Sequence, residues 1–136
     1  MRNKSGISTI VSGHHGERAA ADYLIKKGYR ILEMNYRSSH REIDIIAEDD
    51  IRVIFVEVKS RTATPHSPGR YGRPGMAVTY KKRAHLIAAA QSYLRQKSPG
   101  KRARLDVIEV YFKPSESGLP EIAGIKHIEN AFGAKS

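Results

Sequence analysis

Residues 42–60, EIDIIAEDDIRVIFVEVKS, consist of two apolar runs separated by three acidic residues. β-Branched and aromatic residues fill both runs and favour extended structure, whereas the acidic tripeptide at 48–50 favours a turn. We therefore predict two strands, Glu42–Ala47 and Arg52–Ser60, that pair as an antiparallel hairpin.

Three charged side chains, Asp44, Glu57 and Lys59, interrupt these strands. Successive side chains of a strand point to opposite faces, so Glu57 and Lys59 share the face that carries Val53 and Phe55. Charged groups in a buried strand cost free energy unless they are paired or hold a ligand. Because the hairpin brings Asp44 close to Glu57, these charges form a candidate site.

The order of the charges, Asp44 followed by Glu57 and Lys59, suits metal-assisted hydrolysis of a phosphodiester. Two carboxylates hold a hard divalent cation such as Mg²⁺ through oxygen, and a lysine orients water and neutralises charge on the phosphate. The alternative is an ion pair without a ligand, either between Asp44 and Lys59 or between Glu57 and Lys59. The motif alone does not separate the two interpretations.

The basic residues are concentrated in one block. The 48 residues from Val58 to Leu105 contain no acid and 12 of the 24 Lys and Arg residues, so this block carries +12 and the other 88 residues carry −2. Such a block is typical of a polyanion-binding surface, and nucleic acid is the leading partner. The alternative is a solvated basic face, although a face kept for solubility would more naturally mix both signs. The predicted contacts to the nucleic-acid backbone are Arg61, Arg70, Arg73, Lys82 and Arg83.

Periodicity and turn residues divide the rest of the chain into helices and strands. We predict the order helix, three strands, helix, strand, followed by a weaker fifth strand or edge, which is an α/β fold. Residues 60–76, rich in Pro and Gly, are predicted to be an irregular flap that closes over a nucleic-acid backbone. The predicted helices span 16–27 and 79–96, and the remaining strands span 30–36, 105–112 and 121–128.

Two further acids are candidates for the site. Glu17 lies on or near the apolar face of the first helix, from which it can reach the sheet; alternatively it complements the helix dipole in the first turn. Asp106 can be a third metal ligand, but we favour a structural ion pair with Arg104.

Tyr93 on the second helix is predicted to lie in the core. The histidines lack zinc spacing and are interpreted as scattered polar residues: His14, His15, His40, His66, His85 and His127.

Length and composition bound the class of protein. With 136 residues the chain forms one domain, predicted at 13–136 after a mobile leader at 1–12. The absence of cysteine excludes a disulfide framework, a thiolate zinc site and a cysteine nucleophile. No stretch approaches the ~20 apolar residues of a membrane span, and the N-terminal apolar run is too short and broken for a signal peptide. We therefore expect a cytoplasmic protein with no membrane association.

A set of short motifs runs through nearly the whole chain from Gly16 onward. They are Gly16-Glu17, Gly28-Tyr29, Asn35-Tyr-Arg37, Glu42-Ile-Asp44-Ile-Ile-Ala47, Phe55-Val-Glu57-Val-Lys59-Ser-Arg61, Gly72 with Pro74, Lys82, Arg104-Leu-Asp106-Val and Ile128-Glu-Asn-Ala-Phe132. In combination they resemble the YraN family of small bacterial proteins, which is assigned to the PD-(D/E)xK restriction-endonuclease-like superfamily and is similar to archaeal Holliday-junction resolvases. The departure is Arg41, where the family usually has glycine; a side chain there either crowds the turn or adds a phosphate contact.

This resemblance implies a restriction-endonuclease-like fold, with a mixed β-sheet flanked by helices in the order α-β-β-β-α-β. It also implies Mg²⁺ or Mn²⁺ at Asp44 and Glu57, with Glu17 as an additional acidic member of the site and Lys59 beside the attacking water. We add the carbonyl of Val58 as a third metal oxygen.

Our leading hypothesis is a metal-dependent endonuclease that acts on DNA, with branched or structured DNA among its substrates. The alternative is a non-catalytic nucleic-acid-binding protein that retains the nuclease fold. DNA is favoured over RNA because the chain has no glycine-flanked aromatic RNP motif and no GxxG clamp. Enzymes of this fold often pair to cut two strands, so a homodimer is a further expectation.

Overall fold

The computed structural model describes residues 4–39, 41–62 and 80–131, with the backbone alone for residues 4–13 and 41. Within these ranges the chain forms two helices and five strands. They are α1 (Lys4–Lys26), β1 (Arg30–Ser38), β2 (Arg41–Glu48), β3 (Arg52–Thr62), α2 (Tyr80–Lys97), β4 (Arg102–Lys113) and β5 (Glu121–Ile128). The predicted order of helix, three strands, helix and strand is confirmed, and the weaker fifth strand is present as β5.

The five strands form one sheet in the order β1-β2-β3-β4-β5. The pairs β1/β2, β2/β3 and β4/β5 are antiparallel, and the pair β3/β4 is parallel. A parallel pair needs a crossover connection, and α2 supplies it between β3 and β4. The fold is therefore the predicted α/β arrangement, a mixed sheet flanked by helices.

Each helix covers one face of the sheet, and we call these the α1 face and the α2 face. On the α2 face, Phe55 packs edge-to-face against Tyr93 of the helix, with ring centroids 5.8 Å apart. On the α1 face, Ile54 packs with Leu24. Because both faces are covered, β3 can be apolar on both sides, and residues 53–56 are all buried. The predicted core position of Tyr93 is confirmed.

The helices differ from their predicted bounds mainly at the start of α1. This helix begins at Lys4, well before the predicted start at Gly16, so it takes in residues for which a mobile leader was expected. Residues 5–13 are Ser, Gly, Thr and β-branched residues, which are weak helix formers, and this composition accounts for the later predicted start. Within the described part of the chain, neither helix is long and apolar enough to cross a membrane.

The C-terminal end of α1, at Lys26, lies one residue before the predicted end, and Gly28 follows it closely. Gly28 has a φ of +103°, a left-handed conformation that costs glycine little. The N–H of Tyr29 donates to the carbonyl of Leu24, and the N–H of Gly28 donates to that of Ile25, both at 3.0 Å. These two bonds satisfy carbonyls of the last turn and direct the chain into β1.

Four of the five strands extend beyond their predicted ends, β1 and β2 by one or two residues at an end. β3 runs to Thr62 rather than Ser60 because its register with β4 continues as far as Phe112. β4 in turn begins at Arg102 rather than Leu105. The predicted flap at 60–76 therefore starts inside β3, and the rest of it lies outside the described residues.

Candidate functional site

Asp44 and Glu57 lie opposite each other on β2 and β3. The register pairs Ile45 with Val56, and the two carboxylates are one step further along the same two strands. Oδ2 of Asp44 accepts the N–H of Val58 at 2.8 Å, which ties β2 to β3 at this point. The two carboxylates of the predicted motif therefore lie at the same end of the hairpin.

Glu57 is buried in β3, with only 5% of its surface exposed. Two ammonium groups offset its charge, since Nζ of Lys59 lies 3.4 Å and Nζ of Lys82 lies 3.0 Å from its Oε2. Of the two ion pairs considered from the sequence, the structure contains the one between Glu57 and Lys59. The strand tolerates a buried carboxylate because two cations reach the same oxygen.

Lys82 reaches this carboxylate from the first turn of α2. Its side chain is 47% exposed, against 23% for that of Lys59. Burial lowers the pKa of Lys82, but the attraction and the hydrogen bond of Glu57 outweigh this effect, so the pKa is raised. From the sequence, Lys82 is predicted to contact nucleic acid; in the structure its ammonium group lies on a carboxylate of the site.

Glu17 approaches the same carboxylates from α1. Nδ2 of Asn35 in β1 donates to its Oε1 at 2.9 Å, and Asn35 adopts a left-handed φ of 50°, which asparagine tolerates. The neighbouring Gly16 is buried against β3, where a Cβ would overlap Oγ of Ser60. Glycine at this position lets α1 approach β3 closely and brings Glu17 to the edge of the site.

The pKa of Asp44 is raised to about 7. Burial is the largest cause, and the negative charges of Glu57 and, less strongly, Glu17 add to it. The N–H bond from Val58 and the charge of Lys82 lower the pKa without offsetting the increase. The three carboxylates named from the sequence therefore interact, which makes this end of the sheet attractive to a cation.

This raised pKa predicts that stability falls as the pH rises from about 4 to about 7. Unfolded Asp44 loses its proton near the ordinary pKa of 3.8, whereas folded Asp44 keeps it up to about pH 7. The folded state binds more protons in this window, so the free energy of unfolding decreases with rising pH, by roughly 2–4 kcal/mol in total. Urea unfolding in EDTA across this pH range should show the decrease in wild type and not in Asp44→Asn. Parallel profiles for the two proteins would contradict the raised pKa.

Oxygen donors at this end of the sheet fit a hard divalent cation. Asp44 and Glu57 supply carboxylates. A strand residue directs its N–H and its C=O to the same neighbouring strand, so the carbonyl of Val58 faces β2 as its N–H does. Among the side chains that the structure describes, no three His, Asp or Glu residues are grouped closely enough to enclose a metal ion as they stand. A cation at the two carboxylates would therefore also draw on backbone oxygen or water.

Glu109 is a buried acid beside the site that the sequence analysis missed. It lies opposite Lys59 in the parallel register of β3 and β4, and it is 3% exposed. Its Oε1 accepts the O–H of Tyr111 at 2.6 Å, and its Oε2 lies 3.9 Å from Nη2 of Arg61. Arg61, predicted to contact nucleic acid, thus also has an acidic partner. The signal was present in the sequence, because Glu109 interrupts the apolar run of β4 as Glu57 interrupts that of β3.

Asp106 belongs to a separate buried network on the α1 face. Nε and Nη2 of Arg104 donate to its two oxygens at 2.9 Å, Nε2 of His127 lies 2.7 Å away, and the N–H of Asn130 donates at 2.9 Å. The structure thus contains the favoured ion pair with Arg104. The interpretation of His127 as a scattered polar residue was wrong, since its side chain is 3% exposed and bonded to Asp106. Burial raises the pKa of Asp106, but these three partners outweigh it and lower the pKa.

The basic block divides between the two ends of the sheet, because α2 runs back along it. At the other end, Nζ of Lys101 donates to Glu48 at 2.7 Å, so part of the block is paired with acid. Among the residues of the block that the structure describes, the cations at the site end include Lys59, Arg61, Lys82 and Arg83. Two predicted contacts, Arg70 and Arg73, lie outside the described residues.

A cleft of about 720 Å³ opens at the end of the sheet away from the site. Its lining includes Arg52, Arg102, Arg104 and Glu129. None of the predicted site residues lies in this cleft, and Arg104 is already bonded to Asp106. We therefore place the candidate site at the carboxylates.

Comparison with known proteins points to one family. The model of the uncharacterised protein family UPF0102 matches residues 16–110. A UPF0102 protein of Caldanaerobacter subterraneus subsp. tengcongensis is 40% identical over 121 residues, which are 88% of this chain and 93% of that protein. A UPF0102 protein of Chlorobium chlorochromatii is 42% identical over 125 residues, which are 92% of this chain and 93% of that protein. A third, of Clostridioides difficile, is 41% identical over 121 residues, 88% of this chain and 95% of that protein.

Among solved structures, that of SfsA from Pyrococcus furiosus in complex with Ca²⁺ aligns with a TM-score of 0.42 at 18% identity. The alignment covers 86% of this chain and 63% of that chain.

Proposed function

We propose that this chain, which belongs to the UPF0102 family, is a metal-dependent nuclease that acts on DNA. UPF0102 is the same family as YraN, which the sequence motifs resemble. The predicted family is therefore confirmed. The observation that carries the proposal is the convergence of three acids and two lysines, among them the buried Glu57, at one end of the sheet. The carboxylates interact strongly enough to raise the pKa of Asp44, and such a perturbation is typical of functional sites. The groups are Glu17, Asp44, Glu57, Lys59 and Lys82.

The two opposed carboxylates would hold the metal. Asp44 and Glu57 lie on adjacent strands with the carbonyl of Val58 facing the same gap, a donor set of hard oxygens that suits Mg²⁺ or Mn²⁺. The bound metal would supply a more acidic water and neutralise charge on the phosphate. Glu17, held by Asn35, would complete the negative charge on the α1 side.

Lys59 is the residue best placed to act on the reacting groups. It shares the strand face of Glu57, from whose Oε2 its Nζ is 3.4 Å distant, and its side chain is 23% exposed. From this position the ammonium group would orient the attacking water and stabilise negative charge that develops on the phosphate. The contact with Glu57 holds the ammonium group beside the carboxylate.

The charge of the surrounding surface supports a polyanionic substrate. The chain has a formal net charge of +10, and the first turn of α2 adds Lys82 and Arg83 beside the site. Cations in the first turn of a helix oppose its dipole, a cost that contact with phosphate would offset. We propose DNA backbone as that contact, with Arg61, Arg70 and Arg73 as further partners.

The experiment that tests the function is cleavage of labelled linear, flapped and four-way-junction DNA at low salt with Mg²⁺, Mn²⁺ or EDTA. Wild type is expected to cut in either metal and not in EDTA. Glu57→Gln, which keeps the size of the side chain and removes a metal ligand, is expected to reduce the rate by about 10³-fold. Binding of all three DNAs without cutting in any metal would overturn the nuclease proposal.

The second candidate is a nucleic-acid-binding protein without catalysis. It is favoured by the two lysines on Glu57, which already neutralise that carboxylate without a metal. The two candidates differ in their response to metal, since a ligand that binds the folded state raises its stability. The nuclease predicts saturable stabilisation by Mn²⁺ that Asp44→Asn removes, and the binding protein predicts none.

A further inference from the structure

We propose that Lys82 is a displaceable counter-ion of Glu57. Its ammonium group pairs with the carboxylate until a divalent cation replaces it, and it then contacts the DNA phosphate. This inference rests on the proposed function, because it needs the metal at Asp44 and Glu57. It assigns Lys82 a role distinct from that of Lys59, although both lysines contact the same oxygen.

The first support is the geometry of the shared oxygen. Oε2 of Glu57 receives Nζ of Lys82 at 3.0 Å and Nζ of Lys59 at 3.4 Å. Glu57 is 5% exposed, so a cation has little access to its carboxylate, and the two ammonium groups lie next to the oxygen that the cation would bind. The nearer of the two cations is Lys82, and a metal that used this oxygen would have to move it.

The second support is the difference between the two lysines. Lys59 projects from β3, which is paired on one side with β2 and on the other with β4, and its side chain is 23% exposed. Lys82 projects from the first turn of α2 with a side chain that is 47% exposed. The outer lysine has solvent beside it and a long flexible stem, so it can move without disturbing the sheet.

The third support is the charge at the site. Two ammonium groups lie on Glu57, and the charge of Lys82 also acts on Asp44, so a divalent cation placed between the carboxylates would be repelled by both lysines. Releasing Lys82 removes one of these repulsions and leaves Lys59 beside the carboxylate. The metal and Lys82 should therefore compete for Glu57, and loss of the Lys82 charge should strengthen metal binding.

The test is titration calorimetry of Mn²⁺ into the protein without DNA, so that the readout does not depend on cleavage. Lys82→Gln is expected to bind Mn²⁺ about tenfold more tightly than wild type, since a unit charge a few Å from the metal is removed. Lys81→Gln is the matched control: it lies on the same helical turn, is exposed and changes the net charge equally, and its affinity should stay within about twofold of wild type. Lys82→Arg, which keeps the charge, should behave as wild type.

The outcomes separate this inference from the function. If wild type binds Mn²⁺ and Asp44→Asn does not, but Lys82→Gln binds no more tightly than wild type, the counter-ion role is overturned and the metal site stands. If wild type shows no binding that depends on Asp44, the metal site fails and the counter-ion role fails with it. Thermal unfolding gives a second readout, in which Mn²⁺ should stabilise Lys82→Gln more than wild type; equal stabilisation would also overturn the role.

Discussion

Lys59→Ala is expected to reduce the rate of DNA cleavage by about 10³-fold, the magnitude typical for loss of a group that stabilises charge in the transition state. The fold should survive, because Lys82 remains 3.0 Å from Glu57 and continues to offset the buried carboxylate. The affinity for DNA should change by less than about threefold, since many other cations contribute to phosphate binding. Single-turnover cleavage gives the rate, and fluorescence anisotropy in Ca²⁺ gives the affinity.

The matched control is Lys97→Ala, which removes the same side chain from the last turn of α2, at the end of the helix away from the site. It should cleave at nearly the wild-type rate. The decisive comparison is between rate and affinity, because a lysine that only binds DNA would lower both together. A Lys59→Ala protein that cuts at the normal rate would refute the assignment of this lysine to the chemistry.

Asp106→Ala is expected to lower the free energy of unfolding by about 3–5 kcal/mol, the usual cost of breaking a buried ion pair by removing one partner. Asp106 is fully buried, and the substitution would leave the guanidinium of Arg104, 8% exposed, and the ring of His127 without their carboxylate. Urea unfolding near neutral pH, followed by circular dichroism, measures the change.

Asp22→Ala on the exposed surface of α1 is the control, and it should change stability by less than about 0.5 kcal/mol. Asp106 lies on the α1 face, whereas Glu57 contacts Lys82 of α2 at the end of the sheet that carries the site. The Asp106→Ala protein should therefore keep its Mn²⁺ affinity at temperatures where it stays folded. Loss of metal binding without loss of stability would make Asp106 a metal ligand, contrary to the role assigned here.

The residues of the hairpin could be placed from the sequence because their geometry is local. Alternation along β3 puts Glu57 and Lys59 on one face, and the acidic turn between the strands brings Asp44 opposite Glu57. Gly28 could likewise be recognised as the end of α1, since the left-handed conformation that it adopts is one that glycine favours. These features depend on neighbours within one element or across one short turn.

The start of α1 could not be predicted from such local features. Residues 5–13 have low intrinsic helix propensity, and their apolar residues at helical spacing, Ile7, Ile10 and Val11, cover little more than one turn. Glu109 interrupts the apolar run of β4 in the sequence, but its position beside Lys59 could not be predicted, because it depends on the parallel register of β3 with β4. That register is established by the crossover through α2, not by any adjacent residues.

The sequence by itself determined the α/β class, the order of its elements and the pairing of Asp44 with Glu57 and Lys59, because strand alternation and turn chemistry act over a few residues. Only the tertiary structure decided which partners those charges meet. The return of α2 over the sheet sets Lys82 on Glu57, the close contact at Gly16 brings Glu17 to the site, and the pairing of β5 with β4 encloses Asp106 with His127. These contacts join residues far apart in the chain. A buried charge is stable only beside an opposite charge or a hydrogen-bond partner, and the packing of the helices and strands determines which residue fills that role.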